Sequence, residues 1–406
     1  MSPEPHVQLE SDNSALPPTD AGVAPKGAIL YVINEAFFFL QHRLPAARAA
    51  QSLGYQVHVA APADHVWAPE GFDVDEIEKA GFVFHEIPLS RRGMNPFAEI
   101  NTIWNLMRLY RSLKPNIVHH LTIKPIIYGG LASRLTGMPA TVSSVTGLGQ
   151  IFVSGGLIAA LVRKIVVLGY RVATNRARCR VLVENPDDAD FLAQVGAVRR
   201  DQLVHINGTG IPLDEFVPTA QTEATPLVIL AARLIWEKGV KEFVDAARGL
   251  KSAGVNARFA LIGDTQASNP RSVPEQQLRD WHDEGVIEWW GRRDDMPEVF
   301  RQSHIVCLPT TYGEGVPRSL IEAAASARPI VTTQTAGCRE IVRDGINGLL
   351  VPPGDAGALE AALARLIDDA DLRATMGAAG REIAAAEFSV EEVERRTLDV
   401  YRDIGG

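Results

Sequence analysis

The sequence predicts an α/β fold of two doubly wound, Rossmann-like domains in tandem. Three observations predict it. Short apolar runs of strand length alternate with helical spacings from Gly27 onward. A polar stretch, VPTAQTEATP, interrupts that rhythm, and the series restarts at PLVILAARL. A chain of 406 residues, 46% hydrophobic and 22% charged, is long and apolar enough for two cores.

The first 26 residues, rich in Pro, Ser and Asp, lack the apolar run of a secretory signal and are expected to form a disordered tail. In the first domain, 27–212, GAILYVINEAFFF has a buried-strand pattern, LPAARAAQSLG has helical spacing, and YQVHVAAP is a second strand, which makes a βαβ unit. FVFHEIPL follows, then a helix over 98–113 stopped at KP, NIVHHLTI, a helix near 127–136 and PATVSSVTG. RVLVEN, a helix over 187–195 and QLVHINGTGIPLDEF close this half. The second domain, 213–387, supplies PLVILAARL, ARFALIGD, GVIEWWG, HIVCLPT, RPIVTTQ and GLLVPPG as strands. A charged helix over 388–406 is expected to pack back on the first domain, with the join at 213–226 as the hinge.

A formal net charge of −9 argues against a general nucleic-acid binder, because phosphate backbones are engaged through positive fields. Cys179, Cys307 and Cys338 are an odd number without metal-ligand spacing, so neither a disulfide framework nor a zinc site is expected, and a reducing, cytoplasmic setting follows. The most apolar stretch, from Ile151 to Arg176, is interrupted by Arg163 and Lys164, which excludes a comfortable membrane span. With Arg171, Arg176, Arg178 and Arg180 nearby, it fits an amphipathic surface helix or a core helix with a solvated basic face.

Open parallel sheets bind ligands at the carboxyl ends of their strands, so chemistry is sought in those loops. The strongest candidate is LPTTYGEGVPRSLIEAAASARPIV. Gly313 and Gly315 permit close backbone approach, and the N–H groups from Val316 to Ser319, at a helix opening near Pro317, favour an anionic phosphate. Arg318 adds a positive charge there. Glu314 and Glu322 stand eight positions apart and suit different hydroxyls of one ligand. In AARLIWEKGV, Arg233 and Lys238 follow a strand end, a pair of cations fitted to a diphosphate.

Arg233 with Lys238, LIGD, GRRDDMPEVF, Glu314 with Glu322, and GCREIVRDGINGLLVPPGD together resemble glycosyltransferase family 4. The resemblance covers nearly the whole chain after the tail. It implies the GT-B fold, two Rossmann-like domains facing a cleft, and a retaining enzyme that needs neither metal nor other cofactor. By resemblance, Arg233 and Lys238 bind the donor diphosphate, Glu322 holds the ribose and Glu314 contacts the transferred sugar. Gly315, Val316 and Pro317 line the sugar and phosphate site, and Gly263 and Arg292 border the nucleotide.

NEAFFFLQHRLPAARAA, VHHLTIKPIIYGGLASRL, SSVTGLGQIF and NGTGIPLDEF are similar to a narrower group, bacterial enzymes that extend polyprenyl-diphosphate-linked sugars for capsule, O-antigen, exopolysaccharide or glycoprotein glycans. That likeness implies that His42, Arg43, His119, His120, Lys124 and Tyr128 face the cleft. It also implies that the helix at 157–178 meets the inner face of the membrane. Two departures stand out. Thr146 and Gly147 replace a histidine common in the family, whose part His119 or His120 is left to supply, and Asn34 to Phe39 replace a glycine-rich turn.

The implied reaction moves an N-acetylhexosamine or hexose from a UDP-sugar, with GDP-linked sugars as the alternative, onto a lipid-linked saccharide. No nucleic-acid partner is expected. Two other classes fit the same residues: a nucleotide-sugar epimerase, separated by incubation with donor alone, and a noncatalytic sugar-nucleotide or lipid-carrier binding subunit, revealed by binding without turnover.

Overall fold

The computed structural model describes residues 26–64, 72–90, 95–148, 156–220, 224–265, 269–313 and 315–405. All of the expected tail except Lys26 lies outside the described residues.

Two parallel sheets form from the short apolar runs. The first contains β1 (Gly27–Val32), β2 (Tyr55–Ala61), β3 (Val83–Glu86), β4 (Ile117–Leu121), β5 (Ala140–Val145), β6 (Cys179–Val183) and β7 (Leu203–His205), in the order β3-β2-β1-β4-β5-β6-β7. The second contains β8 (Leu227–Ala231), β9 (Arg258–Ile262), β10 (Glu288–Gly291), β11 (Ile305–Leu308), β12 (Ile330–Thr333) and β13 (Gly348–Val351), in the order β10-β9-β8-β11-β12-β13. Winding reverses between β1 and β4 in one sheet and between β8 and β11 in the other. At such a reversal the two flanking loops diverge and leave a crevice beyond the strand ends.

Helices form where apolar spacing and end signals agree. The helix Pro96–Leu113 opens on Asn95, whose side chain accepts the Phe97 N–H at 3.1 Å, and stops at left-handed Lys114. The residues AFFF, expected to continue a strand, instead open the helix Ala36–His42. Its aromatic run buries Phe39 against Tyr31 and Phe82 from one turn of helix, which a strand of the same residues would split between two faces.

The chain crosses between the sheets at two adjoining points. Ile211 donates to the Phe388 carbonyl at 2.9 Å, and Val390 donates to the Ile211 carbonyl at 3.2 Å. The start of the expected hinge is fixed to the second domain, because Arg381 donates to the carbonyls of Leu213 and Phe216 and Arg328 donates to Thr219. Beyond the two crossings, the helix Val390–Gly405 buries Val393, Val400, Tyr401 and Ile404 in one core with Ile29, Tyr31 and Ile117 of the first sheet.

Candidate functional site

The crevice at the β8/β11 reversal gathers most of the expected donor-side residues. After β8, a single 3-10 turn, Trp236–Lys238, is closed by left-handed Gly239. A Cβ at Gly239 would overlap the Pro309 carbonyl, so glycine lets this turn lie against the loop after β11. The Glu237 carbonyl accepts the Thr311 N–H at 2.8 Å and the Thr310 hydroxyl at 3.1 Å, which pins the two loops together. Lys238 is thereby buried with its Nζ 5.8 Å from the centre of the Tyr312 ring. Arg233 is exposed on the same connection.

The helix Arg318–Ala325 begins after Pro317, with Gly315 and Val316 buried ahead of it. Glu314 lies outside the described residues. Ser319 sits in the first turn, partly exposed. Glu322 is buried and accepts from Arg318 Nε at 2.8 Å. Burial raises its carboxyl above the usual range, and the Arg318 charge works against that rise. Gly263 knits strand ends: its N–H donates to the Gly291 carbonyl at 2.8 Å, and its own carbonyl accepts from Trp289 at 3.1 Å. Arg292 is exposed and paired with Asp294 at 3.2 Å.

The first domain meets this edge directly. Arg318 Nη1 donates to the Gln41 carbonyl at 2.8 Å, beside His42 at the end of its helix. Burial, then the charges of Arg43 and Arg318, lower the His42 imidazole to about 3, so it is neutral at physiological pH. The Val316 N–H donates to Glu184 Oε2 at 3.2 Å, and Arg43 stands 3.9 Å from the same carboxylate. Across the cleft, Thr146 directs its carbonyl at Gly315, and Gly147 follows with positive φ.

His119 and His120 are both buried. They lie within β4 rather than beyond its end, in a strand buried throughout. His119 Nδ1 is 2.6 Å from the Tyr401 hydroxyl and Nε2 is 2.7 Å from Ser144 Oγ. His120 points into the opposite layer, with Nε2 3.0 Å from the Tyr110 hydroxyl. Alternation along a central strand sends the two rings to opposite sides of the sheet, with His119 bordering a small cavity that Arg43, Ser144 and Glu184 also line. Lys124 and Tyr128 begin the helix Ile123–Thr136 and converge on Glu99 of the neighbouring helix, with Lys124 Nζ 2.7 Å from the carboxylate.

Glu184, Gln41 and Tyr312 contact expected residues of this candidate site without having been among them. Glu184 carried a usable signal, since it is the first residue past RVLVEN's apolar strand, where ligand loops begin. Among the described residues, no three His, Cys, Asp or Glu side chains come together to hold a metal ion, and no helix is long and apolar enough to cross a membrane.

Comparison with known proteins places this geometry. Residues 28–177 match the family model "Glycosyl transferase 4-like", and residues 225–369 match "Glycosyl transferases group 1". The N,N'-diacetylbacillosaminyl-diphospho-undecaprenol alpha-1,3-N-acetylgalactosaminyltransferase of Campylobacter jejuni is 26% identical over 372 residues, 88% of this chain and 94% of the relative. The UDP-Gal:alpha-D-GlcNAc-diphosphoundecaprenol alpha-1,3-galactosyltransferase of Escherichia coli is 22% identical, over 82% and 85% respectively. The crystal structure of Anabaena HepE in complex with UDP superimposes with a TM-score of 0.73 at 18% identity, covering 93% of this chain and all (100%) of that one.

Proposed function

The chain has the GT-B fold and belongs to the glycosyltransferases that join a 4-like domain to a group 1 domain, and we propose that it is a retaining, metal-independent enzyme of surface-glycan assembly. In this reading it moves an N-acetylhexosamine or hexose from a UDP-sugar onto a polyprenyl-diphosphate-linked saccharide. The activities of these relatives on undecaprenyl-diphosphate sugars support the acceptor class, and the UDP complex of a fold neighbour supports the donor base.

The observation that carries the reading is the β8/β11 crevice, where the Glu237 carbonyl pins the turn that carries Lys238 to Thr310 and Thr311 after β11, and the helix Arg318–Ala325 opens beyond them. Lys238 and Arg233 hold the leaving diphosphate, whose charge grows as the glycosidic bond breaks. The backbone from Gly315 to Ser319 cradles the sugar and phosphate, Glu314 contacts the transferred sugar, and Glu322 takes the ribose hydroxyls. Gly263 shapes the wall under the nucleotide, with Arg292 at its rim. The acceptor hydroxyl attacks the anomeric carbon from the face the diphosphate leaves and passes its proton to a leaving oxygen, so no protein nucleophile is needed. Arg43, His42, Thr146 and Gly147 line the acceptor side, and Lys124 with Tyr128 flanks it.

The acceptor is presented at a membrane. The helix Leu157–Thr174 exposes Leu161 (61%), Ile165 (61%) and Leu168 (59%) along one stripe, with Lys164 and Arg171 also exposed. An apolar stripe with flanking cations lies in a headgroup layer of anionic lipid at the cytoplasmic face.

The test is a panel of nucleotide sugars offered to the purified chain, with and without polyprenyl-diphosphate-linked acceptors, in EDTA. Acceptor-dependent release of nucleoside diphosphate with retained anomeric configuration is expected. Product formed without acceptor points to an epimerase, and loss of turnover in EDTA removes metal independence.

A further inference from the structure

The domains touch through a carboxylate that the proposed mechanism leaves unused. Glu184 follows β6 directly and is buried in the cleft. Its Oε2 accepts the Val316 N–H at 3.2 Å, and its Oε1 stands 3.9 Å from Arg43 Nη2. The approach depends on Gly315, because a Cβ there would overlap Glu184 Oε2 and come within 3.3 Å of the Thr146 carbonyl oxygen.

A carboxylate drawn from water into a buried cleft must recover its lost hydrogen bonds. Here a backbone N–H ahead of a helix start restores a hydrogen bond, and the Arg43 guanidinium 3.9 Å away supplies an opposite charge. The Val316 N–H is also one that the donor site offers to the sugar and phosphate. Arg318 shows the same pattern, since it is engaged by Glu322 and by the Gln41 carbonyl of the other domain. Two anions brought to one N–H repel each other strongly in a half-buried cleft.

Resting on the donor reading above, we propose that Glu184 is a donor-site residue supplied by the N-terminal domain, an internal anion that holds the Gly315–Val316 loop and that the donor's diphosphate displaces. Arg43 retains the displaced carboxylate. Donor loading is then tied to release of an interdomain hydrogen bond, and the charge on Glu184 sets donor affinity. Glu184 acts through the loop and the local field, and is a positioning residue.

Two substitutions separate its charge from its hydrogen bond. Glu184→Gln keeps an acceptor for the Val316 N–H and removes the charge, whereas Glu184→Ala removes both. The full chain is titrated calorimetrically with UDP, GDP and ADP, and amide hydrogen exchange across 315–320 is followed without nucleotide. Glu184→Gln is expected to bind the preferred nucleotide on the order of tenfold more tightly and to lower donor KM more than it changes kcat. Glu184→Ala is expected to speed exchange at Val316. Unchanged or weaker affinity in Glu184→Gln overturns the proposal while leaving the donor reading intact, and unchanged exchange in Glu184→Ala overturns the latch. If the unsubstituted chain binds none of the three nucleotides, the donor reading fails and the displacement fails with it.

Discussion

The hydroxyl of Tyr401, in the helix Val390–Gly405, stands 2.6 Å from Nδ1 of His119 in β4. Tyr401 also lies 2.8 Å from the Tyr31 hydroxyl, and His119 Nε2 lies 2.7 Å from Ser144, so four buried polar side chains satisfy one another. Tyr401→Phe leaves His119 and Tyr31 short of a partner and is expected to cost about 1–2 kcal/mol of stability. Thermal unfolding checks it, with nucleotide affinity expected to stay unchanged.

Burial makes the fold acid-sensitive. His120 is held near 3 by desolvation, with Arg176 adding to the effect, and His119 is held well below its ordinary value by desolvation, then by Arg43 and His120. Unfolded histidine takes up a proton below about pH 6.5, which the folded His120 refuses until about pH 3. Stability from His120 is therefore full above 6.5 and falls as pH drops toward 3, by about 2 kcal/mol at pH 5. Urea unfolding at pH 8, 6.5 and 5 should show this slope, and His120→Gln should flatten it.

Lys238→Met keeps the buried stem and removes the charge, and Arg233→Ala alters an exposed residue, so both variants should fold. Each is expected to lower transferase kcat/KM about 100- to 1000-fold. Near-normal turnover in either would remove that residue from the proposed diphosphate site.

Gly239→Ala asks for a side chain at φ 75° and against the Pro309 carbonyl. The turn must shift, carrying Lys238 with it. A stability loss of about 1–3 kcal/mol and a raised donor KM are expected together. An unaltered melting temperature with unaltered KM would contradict the close approach of these loops.

Ile165→Glu with Leu168→Glu places two charges on the exposed stripe of the helix Leu157–Thr174. Sedimentation with vesicles containing anionic phospholipid is expected to fall at least about tenfold, while turnover of a short-chain, water-soluble acceptor persists. Equal sedimentation of both proteins would move the membrane contact elsewhere.

The strands were legible because buried parallel strands are nearly continuous apolar runs, as in LVILA and IVCL. The helix Ala36–His42 was not, since FFFL has the same apolar density whichever way it folds. Arg318 and Glu322 were legible as members of one loop-and-helix motif, and their ion pair at helical spacing came from the structure. Glu184 was less so, because its partner Val316 stands 132 positions away and only the packing of one sheet edge against another brings them together. The surroundings of His119 were hidden for the same reason, because Tyr401, which bonds it, comes from the far end of the chain.

The helix Val390–Gly405 fills the floor of the first sheet, with Tyr401 and Ile404 packed among β1 and β4 side chains. During synthesis, that floor is missing until the ribosome has finished the entire second domain. The first domain must therefore wait with part of one apolar sheet face uncovered, beside the residues that Phe39, Ala47 and Ala50 already cover. Completion of its core is thus set by translation of the last helix rather than by its own length.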